Sequence, residues 1–402
     1  MKVAGRLSIT LVAQSLAALA AFAPPVLAPV ALADLSLSSD AWLGVYIALL
    51  YLAGMVSTLS SGDLIARFGP IRVTQISLLL CAAGIALVAL GQTFLLPFAP
   101  LLIGLGYGPV TPSGSKVLMI GGAPRHIGLV FSVKQTGVPL GALAGGLMLP
   151  LLIALGGWRF AVCVVASLCL IAAGVLNRWR GDFDTSLDRQ RRVTWRRTMT
   201  SLSALRANRA ASQLAWCSLF FGCMQLCVMT FLVAYLSRVF EMSLLAAGLF
   251  MSIAQTGGIL GRIGWGWLVD TAISARAVLI GIALAMGGTA VSLGLLPQST
   301  PWWIIAAIVF VLGATAIGWN GVYLSELARV SGVEEVGRIT GAALFFTYLG
   351  VVIGPPIFSA ALALTGTYTV SFALISATVV LGSLLLLSRM PGKHSNPQSI
   401  DN

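Results

Sequence analysis

Apolar residues in this chain fall in long runs, separated by short breaks rich in Gly, Pro, Arg and Asp. A helix needs about 20 predominantly apolar residues to cross the hydrocarbon core of a bilayer. Inside that core only helices and closed barrels satisfy their own backbone groups. Twelve runs reach the length, some interrupted by Gly or Pro: 7–32, 41–61, 73–92, 95–120, 127–153, 159–177, 211–237, 244–269, 277–296, 302–326, 338–364 and 369–389. The first run admits another reading. Lys2 and Arg6, an apolar stretch and then Ala31-Leu32-Ala33 match a secretory signal with a small-residue cleavage site. The run is long for a signal, and Pro24, Pro25 and Pro29 interrupt it, so it is read as a retained span.

The most polar stretch runs from Arg178 to Arg209 and carries nine arginines and three aspartates. It divides the chain into an N-terminal six-helix bundle (1–177), a basic linker (178–210), a C-terminal six-helix bundle (211–390) and a tail (391–402). The linker reads as a solvated tether, with binding of anionic lipid as the alternative. Twelve spans put both termini on one side. Nineteen of the 24 Lys and Arg residues fall on that side: Lys2, Arg6, Arg67, Arg72, Arg125, the nine linker arginines, Arg276, Arg329, Arg338, Arg389 and Lys393. Only Arg159 and Arg238 fall on the other. This asymmetry predicts cytoplasmic termini and linker in a plasma-membrane protein.

Composition agrees: 58% of residues are hydrophobic and 9% charged, against about 25% charged in soluble domains. The net charge of +12 sits in loops and forms no folded basic face, so no nucleic-acid partner is expected. Six cysteines (Cys81, Cys163, Cys169, Cys217, Cys223, Cys227) lie inside apolar runs without metal-ligand spacing and read as small apolar fillers. No Ser/His/Asp set, metal cluster or nucleotide loop appears, so neither an enzyme nor a cofactor is expected.

The halves repeat. At a shift of 204 residues Gly62, Leu64 and Arg72 meet Gly266, Leu268 and Arg276. At a shift of 213, Gly137 and Gly141 meet Gly350 and Gly354. These echoes predict an all-α protein of two pseudo-symmetric six-helix bundles with parallel topology. With its central loop and the glycine-and-basic loops after spans two and eight, the chain resembles the major facilitator superfamily of secondary transporters over essentially its whole length. Gly62, Arg67, Gly69 and Arg72 fit that family's loop signature after span two, with Ala66 at the usual acidic position. Gly266 and Asp270 fit it after span eight. The resemblance implies that these six residues form a conformational-switch loop pair.

Charge inside a membrane costs roughly 2.5–3.5 kcal/mol on insertion scales, so each case needs a reason. Three cations lie within the spans: Lys116, Lys134 and Arg262. Lys116 is near a span end, from which a lysine can snorkel to the headgroups, and is read as structural. Lys134 and Arg262 lie at similar depth in spans five and eight. The resemblance implies that these spans face each other across a cleft, so the two cations are expected to flank an anion in a central cavity. The pattern Arg262, Gly266, Asp270 is similar to that of monocarboxylate porters, which implies that Arg262 engages a substrate carboxylate. A guanidinium clasps a carboxylate through two parallel hydrogen bonds. Structural roles for both cations stay open beside this one.

Gln135, Tyr107, Gln255, Asn320, Trp319 and Tyr323 are the secondary candidates for lining the cavity. No Asp or Glu lies at mid-depth, Glu326 being at a span end, which disfavours cationic cargo. His126 and His394 both fall in loop or tail segments, so neither is a mid-membrane proton relay, although protons remain a candidate coupling ion. The expected function is secondary transport of a small organic anion, a carboxylate, through the lipid bilayer. The alternatives are a drug or metabolite exporter of the same fold and, in another class, a transporter-like membrane sensor.

Overall fold

The computed structural model describes residues 2–35, 39–185, 187–191 and 194–387. The expected tail (391–402, with Lys393 and His394), Arg389 and the linker's Arg192 lie outside the described residues. All regular structure among the described residues is helical. Helices α1 (Val3–Asp34), α2 (Ser39–Phe68), α3 (Pro70–Ala89) and α4 (Phe98–Met119) are one span each. Span five is built from α5 (Ile127–Gln135) and the first part of α6 (Gly137–Val175). The rest of α6, beyond a sharp turn at Gly157 (φ 78°, ψ 174°), is span six. Two helices, α7 (Arg180–Phe183) and α8 (Trp195–Ala207), lie in the linker.

The second half repeats the plan with α9 (Arg209–Val239), α10 (Leu244–Thr271) and α11 (Ala275–Leu295). Span ten joins α12 (Trp302–Ala316) to the start of α13 (Asn320–Thr365). After a turn at Gly332 (φ 70°, ψ 171°) the same helix becomes span eleven. The last span is α14 (Tyr368–Leu384). Nine continuous helical stretches among the described residues are long and apolar enough to cross a bilayer. Two of them, Ile127–Phe183 and Trp302–Thr365, are double spans, and α10 completes twelve. Glycine is needed at both sharp turns because its missing Cβ makes positive φ accessible.

The internal echo has a packing meaning. Gly137 and Gly141 bring α6 against the backbone of α1 near Gln14 and Ser15. Gly350 and Gly354 bring α13 against α9 at Leu219 and Cys223 in the same way. Small residues at such crossings let helix backbones approach where lipid offers no hydrophobic drive for association. One core cluster fills the first half around Ala17, Ile103 and Val165 and takes in Tyr348 of α13 from the second. The other fills the second half around Met224, Ile282 and Phe358, and crosses the seam to Leu59, Leu118, Ile127 and Phe131. All six cysteines are free, and Cys163 alone among them is exposed.

The seam is closed on the face that carries the linker. There α2 packs on α13 and α5 on α10, whereas α6, the continuation of α5, leaves α10. Among the described residues, every hydrogen bond across the seam lies at the level of Arg262 or nearer the linker.

The linker differs from a solvated tether. Asp184 accepts the free N–H groups of Ile71 (2.9 Å) and Arg72 (3.1 Å) at the start of α3. Arg191 donates to buried Asp63 at 2.7 Å, and the Asp188 N–H bonds the Ala66 carbonyl at the end of α2. In α8, Ser201 and Leu205 are buried against the bundle, and Thr200 accepts from Arg338 at 2.8 Å. The reason is that helix ends leave orphan N–H and C=O groups, and linker side chains satisfy them.

Candidate functional site

Lys134 stands seven residues into α5, about 10 Å from its start, and is fully buried. Its stem lies against Gly114 of α4, where a methyl group would collide with Cε. Its Nζ donates to the Gln135 side-chain carbonyl at 3.1 Å. Polar neighbours on the adjoining helices include Gln14, which accepts from Thr111 at 3.0 Å. Ser113 on α4 and Ser132 on α5 keep buried hydroxyls without a hydrogen-bond partner.

Arg262 is 2% exposed and sits eight residues before Asp270 on α10. Its Nε donates to the Ile317 carbonyl at 3.0 Å, and its Nη1 donates to the Gln135 carbonyl. Both acceptors are orphans of broken helices. Pro139 stands four residues after Gln135 and has no N–H to offer it. Ile317 ends α12 where span ten is interrupted. Arg262 therefore ties span eight to breaks in spans five and ten, and Gln135 joins both cations: its side chain takes Lys134 and its backbone takes Arg262. Among the described residues no carboxylate pairs with either cation. The two cations are brought together, but they are buried in the closed seam and do not look across an open cavity.

The aromatic candidates separate into two groups. Tyr107 lies within electrostatic range of Arg262 and stacks on Tyr348 of α13 (6.5 Å), which also meets Tyr51 of α2 at 5.8 Å. This trio sits at mid-depth where three helices from the two halves converge. Trp319 and Tyr323 pack together at 5.2 Å with a 56° tilt, on the second half's own core. Trp319 Nε1 and Asn320 Nδ2 both donate to Gln225 of α9, at 3.0 and 3.2 Å. Gln255 is half-buried and shares a face of α10 with Arg262, two turns further from the linker. Tyr51, Tyr348, Gln14 and Gln225 were not among the sequence candidates. Only Pro139 carried a local signal, since a proline four residues beyond Gln135 announces a carbonyl in need of a donor.

Lys116 has a structural part. Its Nζ donates to the Val333 carbonyl at 2.8 Å and lies 3.7 Å from Glu334, across the seam.

The switch-loop residues play unequal parts. Gly62 lies against the Arg338 backbone and Gly69 (φ 86°) against Asp184. Arg67 stacks on its neighbour Phe68 (5.0 Å), and Arg72 donates to Gln75 (3.3 Å), so neither bridges the seam. Gly266 abuts Ser132. Asp270 accepts the Gly128 and Leu129 N–H groups at 2.9 and 2.7 Å, so an α10 carboxylate caps α5 from the other half. His126 is exposed just before α5.

A probable hexose phosphate transport protein of Chlamydia trachomatis is 23% identical over 358 residues, covering 80% of this chain and 76% of that protein. Monocarboxylate transporter 13 of Rattus norvegicus is 24% identical over 144 residues, 36% of this chain and 33% of that protein. The fucose:proton symporter of E. coli shares the fold with a TM-score of 0.75 at 13% identity, over 97% of this chain and 100% of that one. The human organic anion transporter MFSD10 does so with a TM-score of 0.74 at 13% identity, over 96% and 100%. The sequence model of the Major Facilitator Superfamily matches residues 10–355, and with the twelve-helix, two-bundle architecture this establishes that the chain belongs to that superfamily of multi-pass membrane transporters.

Proposed function

We propose that this transporter carries a small organic anion, a carboxylate, by alternating access, with Lys134 as its principal charge partner. The observation that carries the reading is a fully buried lysine beside a buried arginine without a carboxylate partner. Such a pair costs several kcal/mol in a low-dielectric seam unless it has work to do. An anion arriving from the face opposite the linker meets the Tyr51–Tyr107–Tyr348 trio first. Below it lie Lys134, the amide of Gln135 and, on α4, the unpartnered hydroxyl of Ser113. Binding gives Ser113 the acceptor it lacks and gives Lys134 a charged acceptor in place of the neutral Gln135 amide. Arg262 reaches the same place by exchanging one backbone carbonyl for the carboxylate, which loosens the tie between spans five and eight. Gln255, Asn320, Trp319 and Tyr323 form the wall on the second half. Release toward the linker requires Asp270 to leave the α5 N-terminus, the step in which the switch loops take part. Three of the relatives named above are described as carriers of anionic cargo, which agrees with this reading, while the fucose symporter is not.

In this proposal the protein lies in the plasma membrane with termini and linker cytoplasmic, supported by nineteen basic residues on that side against two on the other. The bundles 1–177 and 211–390 are the two rocking bodies. The test is uptake into proteoliposomes of labelled small carboxylates, organic phosphates, neutral sugars and lipophilic cations. Carboxylate uptake is expected in the wild type and absent in Lys134→Ala, with the folded state of the variant checked by its melting temperature. Uptake of lipophilic cations or sugars that survives Lys134→Ala overturns the anion reading and favours an exporter.

A further inference from the structure

A crevice lies between α8, α9 and α13. It encloses about 250 Å³ and is lined by Met199, Leu202, Leu205, Trp216 and Phe346, with Arg206, Ser203 and Ser212. Its chemistry is graded along its length. Arg206 and Ser203 are exposed on α8, at the level where the linker meets the bundle. Trp216 lies seven residues into α9, about 10 Å deeper, is 46% exposed and packs edge-on against Phe346 at 4.9 Å. Arg209, exposed at the first position of α9, stands one turn before the lining Ser212 on that helix. Among the described residues neither arginine makes an ion pair. The side chains of α8 explain the geometry. Met199, Leu202, Ser203 and Arg206 recur at spacings of three and four, so one stripe faces the crevice while Ser201 and Leu205 anchor the helix.

We infer that an anionic phospholipid of the linker-side leaflet occupies this crevice. Its phosphate lies by Arg206 and Arg209, and one acyl chain runs along Leu202, Trp216 and Phe346. The headgroup-to-chain polarity of the ligand matches the cation-to-aromatic polarity of the groove, and basic segments beside a span attract anionic lipid. Because α8 also touches α2 and α13 across the seam, the bound lipid braces the closed linker face. The inference does not depend on the identity of the cargo.

The test uses the full chain in nanodiscs with Trp216 as the reporter. Acyl-brominated phosphatidylglycerol and acyl-brominated phosphatidylcholine are compared, and the Trp216 contribution is the difference between wild type and Trp216→Phe. Two cations near an anionic headgroup correspond to a roughly 30-fold preference. Brominated phosphatidylglycerol is therefore expected to quench Trp216 at a far lower mole fraction than brominated phosphatidylcholine. The difference is expected to vanish in Arg206→Gln/Arg209→Gln, while the melting temperature in detergent without lipid stays unchanged. Equal quenching by the two lipids, or selectivity that survives the double substitution, overturns the inference. So does a lipid-independent dimer that shields Trp216, which would assign the crevice to a second copy of this chain.

Discussion

Spans two and eight occupy equivalent places in the two halves, yet they hold the seam by different physics. At the 204-residue shift Arg262 corresponds to Thr58 and Asp270 to Ala66. Span eight reaches across with charge: Arg262 takes the Gln135 carbonyl and Asp270 takes two N–H groups at the start of α5. Span two reaches across with shape. Thr58 and Ser61 lie against Gly341, and Gly62 lies against the Arg338 backbone. The Thr58 hydroxyl turns back to its own helix, onto Met55. A seam held by charge can be reset by an ion or a charged cargo, whereas a seam held by fit resists until the surfaces slide. The fold is symmetric and the lock is not.

The strongest way to break this contrast is Arg262→Ala. It leaves two buried carbonyls without donors, at about 1–3 kcal/mol each. The melting temperature is expected to fall sharply, with Arg262→Lys recovering part of the loss, while Thr58→Ala changes it little. A comparable loss in Thr58→Ala would erase the distinction. Next in size is Gly341→Ala, whose new methyl group runs into Ser61 and the Thr58 carbonyl. Overpacking of this kind costs about 1–3 kcal/mol. It is expected to part the seam, read as faster maleimide labelling of a Ser132→Cys reporter in a Cys163→Ser background.

A finer comparison pairs Asp270→Asn with Asp184→Asn. Both carboxylates cap a helix N-terminus, and ionised caps bind more strongly than neutral ones. Each substitution is expected to cost about 1–2 kcal/mol. Asp270→Asn alone should raise Ser132→Cys labelling, because Asp184 caps a helix of its own half. Equal labelling in both would show that the α10–α5 cap is no lock.

The smallest effect belongs to the opposite face. Asp34 lies 2.9 Å from Arg159, and that hydrogen bond, with a second from Trp158, holds its pKa below the usual 3.8. An acid with a lowered folded pKa adds stability that is complete above 3.8 and is lost as the pH falls through the folded value. The melting temperature of wild type should therefore drop slightly more than that of Asp34→Asn on acidification below 3.8. Labelling of Ser132→Cys should not change in that range between the two.

The spans were legible because bilayer thickness imposes run length directly on sequence, and the echo of Gly137 and Gly141 in Gly350 and Gly354 marked equivalent helix crossings. The interruptions in spans five and ten were not read, since the polar stretch Lys134-Gln135-Thr136 was read as lining a continuous helix and the run through Ile317 shows no change of composition. The cations at 134 and 262 stood out because charge is rare at that depth. Their geometry did not, because it depends on which carbonyls tertiary packing leaves open. Lys116 was read as structural, but its partner could not be named for the same reason: the Val333 carbonyl lies 217 residues away. Tyr51 and Tyr348 look like ordinary span residues until three helices bring them to Tyr107.

The grip of the linker also sets a mechanical stroke. Arg191 is fastened to Asp63 on the first half, and α8, which starts at Trp195, is fastened through Thr200 and Leu205 to the second. Nine residues separate Arg191 from Thr200; the four up to the start of α8 span roughly 14 Å when stretched, and the helical five beyond add about 7 Å. While both anchors hold, the chain acts as a short leash, and its length caps how far the two halves can part on that side.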